Sequence, residues 1–303
     1  MKDVYTLADL HAWEAVTADE PVPLRLAVLG DPVAHSASPQ MHNAALAECG
    51  IAARYCRLQV RPEEFAEALR TLAGQGFIGV NCTIPHKAAA LAAVDEADEN
   101  ARRAGGVNTI IFGDDGRTRG CSTDGPGLAR AVREQLGAEL HDLRVLVLGA
   151  GGGAGRAVAM HCASAGVRKL FVANRTYEKQ MSLYHAIQQA YPRQWVATVD
   201  EEPFDFAECL LDSDLIVNCS ALGMRPDDPS PVDAADLRPQ HLVFDTIYTA
   251  ARTPLMRAAD TAGARSANGL SMLLHQGALS FEHWFHRPAP IEVMRAALTG
   301  GVL

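Results

Sequence analysis

Leu143-Arg144-Val145-Leu146-Val147-Leu148-Gly149 runs without a break into Ala150-Gly151-Gly152-Gly153-Ala154-Gly155, and this stretch decides the fold. An apolar run of strand length that ends in glycines and is followed by a helical pattern, Arg156 to Ala165, reads as strand, turn and helix. Such a unit opens a doubly wound α/β domain. Lys169-Leu170-Phe171-Val172-Ala173 supplies the next strand, and the apolar runs Leu215 to Cys219 and Leu242 to Asp245 extend the pattern. Glycines between a buried strand and a helix let backbone N–H groups approach a pyrophosphate at the helix N-terminus. Gly149-x-Gly151-x-x-Ala154 fits that fingerprint, so Gly149, Ala150, Gly151, Gly152, Gly153 and Ala154 are candidate cofactor contacts.

The end of the second strand chooses between dinucleotides. A unit that binds NAD places Asp or Glu there to hold the ribose hydroxyls. This chain has Asn174-Arg175-Thr176 instead, and a guanidinium beside a hydroxyl suits the 2′-phosphate of NADP. The plainer reading of Arg175 is a surface arginine after a strand.

Upstream, strands and helices also alternate. Leu26 to Leu29, Tyr55 to Val60 and Gly76 to Ile84 read as strands; Met41 to Cys49, Glu63 to Leu72 and Lys87 to Arg103 read as helices. Val107 to Phe112 reads as a strand entering the turn Gly113-Asp114-Asp115-Gly116. The expectation is a two-domain α/β chain. Residues 1–125 form a domain with a mixed, mostly parallel sheet, with 1–22 an extension of unassigned role. Residues 126–265 form a Rossmann-type domain, and 266–303 hold C-terminal helices, of which Leu270 to Phe285 is apolar enough to need a packing partner.

Composition agrees with two domains and narrows the partners. The chain has 303 residues, 48% of them hydrophobic, and a net charge of −9 that repels nucleic acid and anionic membranes. Its seven cysteines include no Cys-x-x-Cys pair, which points to reduced thiols in a cytoplasmic protein, and no metal is expected. Residues 1–20 are acidic without an apolar core, unlike a signal peptide or anchor, and no apolar run is long enough to span a bilayer. The expected partner is a small molecule, and the expected state a monomer or homodimer.

A second group of residues carries chemistry. Lys87 follows Val80-Asn81-Cys82-Thr83-Ile84-Pro85-His86 and opens a helix, where a cation costs about 0.3–1 kcal/mol against the helix dipole. It is either a solvated lysine that tolerates the penalty or a group kept for proton transfer. Ser38 before Pro39 reads as a helix N-cap, whereas Ser36 has no such explanation. Two hydroxyls two residues apart can both donate to one carboxylate. Asp124 before Gly125-Pro126 also suits a helix start. Together Ser36, Ser38, Thr83, Lys87, Asn108 and Asp124 offer donors, one cation and one carboxylate, the equipment for a small polyhydroxylated acid.

From Leu26 to Phe285 the chain resembles the shikimate dehydrogenase family, which includes shikimate and quinate dehydrogenases. The motifs match in order: Gly30-Asp31-Pro32 with His35-Ser36-x-Ser38-Pro39, Asn81-x-Thr83-Ile84-Pro85-His86-Lys87, Val107-Asn108-Thr109 and Thr123-Asp124-Gly125. The glycine turn, Asn174-Arg175-Thr176, Asn218-x-Ser220-x-x-Gly223-Met224, Asp245-x-x-Tyr248 and Gly269-Leu270-x-Met272-Leu273-x-x-Gln276-Gly277-Ala278 follow. The resemblance implies that Lys87 and Asp124 form the catalytic pair. Ser36 and Ser38 would hold a substrate carboxylate, and Thr83, Asn108, Tyr248 and Gln276 would bind the rest of the substrate.

It further implies that Ser220, Met224, Gly269 and Met272 lie on the NADP side, and that the terminal helices return to the substrate domain. The implied reaction is reversible NADPH-dependent reduction of 3-dehydroshikimate to shikimate, in the pathway to chorismate and the aromatic amino acids. A quinate or aminoshikimate dehydrogenase is the alternative within the class; Ser38, where a bulkier Thr would suit quinate, points to shikimate. A non-catalytic NADP-binding module is the alternative outside it, and intact Lys87 and Asp124 argue against that. Departures from the family pattern are Ser122 for Asn, Gly106 for Ala, Ala250 where Pro follows the Tyr, and a glycine turn one residue longer.

Overall fold

The computed structural model describes residues 2–199, 203–225, 227–248 and 252–300, so the Ala250 departure lies outside the described residues. The chain divides into two compact units, Met1–Thr123 with Gln276–Val302, and Asp124–His275. The first division falls slightly before the expected one at 125, and the second after the expected one at 265.

The first unit holds β1 (Tyr5–Thr6), α1 (Leu7–His11), α2 (Trp13–Val16), β2 (Leu24–Gly30), α3 (Ser38–Glu48), β3 (Arg54–Gln59) and α4 (Phe65–Gly74). β4 (Gly79–Cys82), α5 (Lys87–Ala93), β5 (Glu96–Ala97), α6 (Glu99–Ala104), β6 (Thr109–Phe112) and β7 (Thr118–Cys121) follow. Its strands form one sheet in the order β1-β3-β2-β4-β6-β7-β5. β6 runs antiparallel to both β4 and β7, so the sheet is mixed.

The N-terminal segment left without a role packs on its domain: Tyr5 and Thr6 pair with Leu58 and Gln59, and Tyr5, Leu7, Leu10 and Trp13 are buried in the core. The Trp13 ring lies 5.2 Å from Tyr5 and 5.5 Å from Phe77. Two local expectations are corrected. The expected helix from Lys87 to Arg103 is broken at Val94, where the backbone turns extended. The cause is nonlocal, because the Asp95 carboxylate accepts the Thr118 N–H at 2.7 Å and hydroxyl at 2.9 Å and draws Glu96–Ala97 into the sheet. Asp98 then caps a new helix by accepting the Ala101 N–H. Finally, Ser38 does not cap α3; the helix already includes it, and Ser36 Oγ accepts the Ser38 N–H at 3.3 Å.

The second unit holds α7 (Asp124–Leu136), β8 (Arg144–Leu148), α8 (Gly153–Ala165), β9 (Lys169–Ala173), α9 (Tyr177–Ala190) and β10 (Val196–Thr198). α10 (Pro203–Leu211), β11 (Leu215–Asn218), β12 (Leu242–Asp245), α11 (Pro254–Thr261) and β13 (Arg265–Ala267) complete its strands and crossovers. The sheet order β10-β9-β8-β11-β12-β13 is parallel throughout, with an apolar core on each face. That is the doubly wound arrangement expected from the glycine-terminated strand.

The last helices are α12 (Gly269–Phe285) and α13 (Ile291–Gly300). The stretch of α12 from Gln276 onward belongs to the first unit and approaches it very closely. A Cβ on Gly277 would sit 2.2 Å from Met41 Cε, and one on Gly79 would sit 2.2 Å from Trp284 Nε1. The indole N–H of Trp284 donates to Ile110 O at 3.0 Å, and α13 packs along α3.

His42, on α3, is fully buried there, stacked on Tyr55 at 4.5 Å with Trp284 at 5.3 Å. Neither ring nitrogen has a hydrogen-bond partner, and burial pulls its pKa down to about 3. The unfolded chain therefore binds the extra proton first, and stability falls as pH drops from the ordinary imidazole range towards that value. Between about pH 7 and pH 5 the wild type is expected to lose about 2 kcal/mol more than a His42→Phe variant. Urea unfolding of both proteins at the two pH values measures this, and equal losses would refute it.

Candidate active site

The polar centre of the first unit is built around Asn81, on β4. A buried amide must satisfy both its oxygen and its N–H groups. Tyr55, buried on β3, donates its hydroxyl to Asn81 Oδ1 at 2.8 Å. Asn81 Nδ2 lies 3.0 Å from Asn108 O, 3.1 Å from Thr109 Oγ1 and 3.0 Å from Ser280 Oγ.

Asn108 sits just before β6 and is 3% exposed, with its side chain fixed from two sides. Its Oδ1 accepts the Thr123 N–H at 2.8 Å, and its Nδ2 donates to Thr123 Oγ1 at 2.9 Å and to Gln276 Oε1 at 3.3 Å. Two expected substrate-binding residues, far apart in the chain, are thus in contact.

The remaining donors of this unit sit at strand ends. Ser36 and Ser38 are both buried, Ser36 in the loop after β2 and Ser38 at the start of α3. The Ser36 carbonyl accepts Arg57 Nε at 2.9 Å, which anchors the loop. Thr83 follows β4, and its N–H donates to Leu29 O at 2.9 Å. Gly30 makes room for it, since a Cβ there would meet Thr83 Cγ2 at 2.5 Å. Lys87 is half-buried as the first residue of α5, and its carbonyl accepts the Val107 N–H at 2.9 Å. A Cβ on Gly106 would lie 3.3 Å from Lys87 Cβ, so glycine at this position gives the lysine stem space that alanine would take. Burial pushes the neighbouring Cys82 thiol up to about 12 despite the opposing field of Lys87.

Asp124 opens the second unit as the buried first residue of α7, one peptide bond from Thr123. Its neighbour Gly125 lets α7 cross α8 closely, because a Cβ there would be 2.4 Å from His161 Cβ.

The glycine turn divides its labour in a way its spacing did not reveal. Gly149 has φ +70° and packs on Ser220, whose backbone nitrogen would be 2.7 Å from an added Cβ. Three N–H groups are already used: Ala150 donates to Ala173 O, Gly151 to Asn174 Oδ1 and Gly152 to Gly149 O. The first-turn N–H groups of Gly153, Ala154 and Gly155 have no side-chain cap, and α8 is long enough for its dipole to favour an anion there. Among the glycines of the turn the closest approach is at Gly155, where a Cβ would lie 2.2 Å from Gly149 O. A backbone cradle that side-chain bulk would fill suits a pyrophosphate.

Around this cradle, Asn174 is a support, accepting from Gly151 and taking its own place from Gln180, whose Oε1 accepts the Asn174 N–H at 2.6 Å. Arg175 and Thr176 are exposed at the carboxyl end of β9. Lys179, which sequence reading overlooked, stands over the turn: its Cβ would be 2.7 Å from a Cβ on Gly151. Ser220 spends its hydroxyl on Asn218 Oδ1 at 2.6 Å and so shapes the loop to Met224, which is exposed. Asn218 is in turn held by the buried Asp245, whose carboxyl burial pushes upward in pKa. Gly269 passes Thr246 O so closely that a Cβ would sit 2.0 Å away. Met272 is buried in the unit's apolar core, which gives it a packing role, and Tyr248 is half-buried after β12.

Three family models match the chain: the shikimate dehydrogenase substrate binding domain over residues 28–110, the shikimate/quinate 5-dehydrogenase over 130–221, and the shikimate 5′-dehydrogenase C-terminal domain over 269–299. A shikimate dehydrogenase (NADP+) of Symbiobacterium thermophilum is 42% identical over 274 residues, 90% of this chain and 92% of that protein. The crystal structure of shikimate 5-dehydrogenase from Thermus thermophilus in complex with NADP(H) and shikimate is similar with a TM-score of 0.80 and 35% identity, covering 91% of this chain and 99% of that one. Quinate dehydrogenase from Corynebacterium glutamicum in complex with NAD is similar with a TM-score of 0.81 and 30% identity, covering 92% and 99%.

Gly155→Ala is expected to force α8 away from β8 and misplace the first-turn N–H groups. Losing even one hydrogen bond to a charged group corresponds to about ten- to a hundredfold weaker binding of NADP. Calorimetric titration of the variant with NADP measures it, and wild-type affinity would refute the assignment of Gly155.

Proposed function

The chain belongs to the shikimate dehydrogenase family, and from that premise we propose how its own residues carry out the reaction. It catalyses the reversible NADPH-dependent reduction of 3-dehydroshikimate to shikimate, an oxidoreductase reaction at a CH–OH group. The observation that carries the assignment of residues is the contact of Asn108 with Gln276 beside Thr123, which gathers amide groups suited to ring hydroxyls next to Asp124 in the chain. When bound, NADPH supplies the hydride that reduces the ring ketone.

Lys87 holds its ammonium at the ketone oxygen, stabilises the negative charge that develops there and gives up a proton to it. In the reverse direction the same amine takes the hydroxyl proton. Asp124 orients Lys87 by charge pairing. Ser36 and Ser38 receive the substrate carboxylate, while Thr83, Asn108, Tyr248 and Gln276 bind the hydroxyls and so fix which ring carbon is presented. The N–H groups at the start of α8 would hold the pyrophosphate, and Arg175 with Lys179 would meet the 2′-phosphate.

Among the described residues no helix is long and apolar enough to cross a membrane. The described free cysteines support a reducing, cytoplasmic setting, and we take the enzyme to act on a small molecule alone, as a monomer or homodimer. Ser38 supports shikimate over quinate as the preferred substrate.

Lys87→Ala is expected to lower kcat by roughly 10²–10⁴-fold with little change in KM for shikimate. Ser36→Ala should instead raise that KM by about tenfold. Steady-state rates with shikimate and quinate, each with NADP and NAD, test both variants and the substrate choice; near-normal turnover by the Lys87 variant would sink the assignment. Arg175→Ala should raise KM for NADP by about ten- to a hundredfold and leave KM for NAD unchanged. An equal rise for both cofactors would remove Arg175 from the 2′-phosphate.

A further inference from the structure

The geometry points to Ser280 as a positioning residue for substrate recognition, acting through Gln276. The inference rests on the reading of Gln276 as a substrate ligand. Ser280 lies one helical turn beyond Gln276 on α12 and is fully buried. Its hydroxyl donates to Gln276 O at 3.0 Å, which leaves its lone pairs to accept. Asn81 Nδ2 at 3.0 Å fills one of them, and Thr109 Oγ1 lies 2.8 Å away. One small side chain therefore ties the turn that carries Gln276 to the strands that carry Asn81 and Thr109.

The flanking contacts leave that turn a single seat. Gly277 meets Met41 and His42, and Trp284 bonds Ile110 O, so the helix is held near both ends of this stretch. Between those two contacts the Ser280 hydroxyl bonds the Gln276 carbonyl and so holds the backbone from which the Gln276 amide meets Asn108 Nδ2 at 3.3 Å. Nothing in the motif around Gln276 marks Ser280.

The test is a cycle of Ser280→Ala, Gln276→Ala and the double variant in the full-length enzyme, with KM for shikimate, KM for NADP, kcat and Tm measured for each. Ser280→Ala should raise KM for shikimate by about tenfold with KM for NADP unchanged. In the Gln276→Ala background the same change should add nothing to KM. An unchanged KM in Ser280→Ala, or an equal rise in both backgrounds, overturns the inference while leaving Gln276 as a ligand. An unchanged KM in Gln276→Ala overturns the reading of Gln276 and the inference with it. Ser280→Cys, which keeps a polar atom at the γ position but weakens the hydrogen bonds, gives the same readout if the alanine variant does not fold.

Discussion

One buried amide governs the first unit. Asn81 lies on a central strand, where an unsatisfied polar group costs about 1–3 kcal/mol, and its partners come from separate segments of the chain. Tyr55 arrives on β3, Asn108 and Thr109 on the approach to β6, and Ser280 on α12. Satisfying Asn81 therefore requires the sheet register and the seat of the C-terminal helix to be correct together. The residues that would face the substrate, Asn108 and Gln276 above all, are outer members of the same network. On the proposed reading, the bonds that would recognise hydroxyls are the ones that stabilise the core.

The second unit solves a different problem with backbone. Its acidic chain needs a place for anionic phosphates, and the overall charge of −9 works against one. The turn after β8 answers by using up the N–H groups of Ala150, Gly151 and Gly152 internally and leaving those at the start of α8 open. Asn174 contributes to this order from the next strand. Arg175 and Lys179 then add formal charge at the rim, where water screens them from the rest of the surface.

Much of this was legible in the sequence because its causes are local. β9 and β12 match their apolar runs, the glycine turn announces the doubly wound unit, and the family motifs bring Ser36, Lys87, Asn108 and Asp124 into view. What the sequence hid depends on partners distant in the chain. Val94 ends a helix because Asp95 bonds Thr118, the glycine at 155 is needed because of where Gly149 O lies, and Ser280 is placed by its contact with Asn81. Helical periodicity cannot see any of these. The N-terminal residues were missed for a related reason: β1 is two residues long and the helices after it are short, so no period develops.

The discontinuity of the first unit sets the order in which the chain can be finished on a ribosome. Ser280 and Trp284 emerge only after the whole of Asp124–His275 has been made, so until then Asn81 and the Ile110 carbonyl lack their last partners. In that interval the sheet, whose strands all precede Asp124, lacks the C-terminal helices that cover it and is open to association with other nascent chains. Its outer strands answer this hazard, since β1 and β5 have two residues each and offer too little free edge to template a neighbour. The segment that looked like an unassigned extension thus guards the sheet's rim while the chain waits for its own C-terminus.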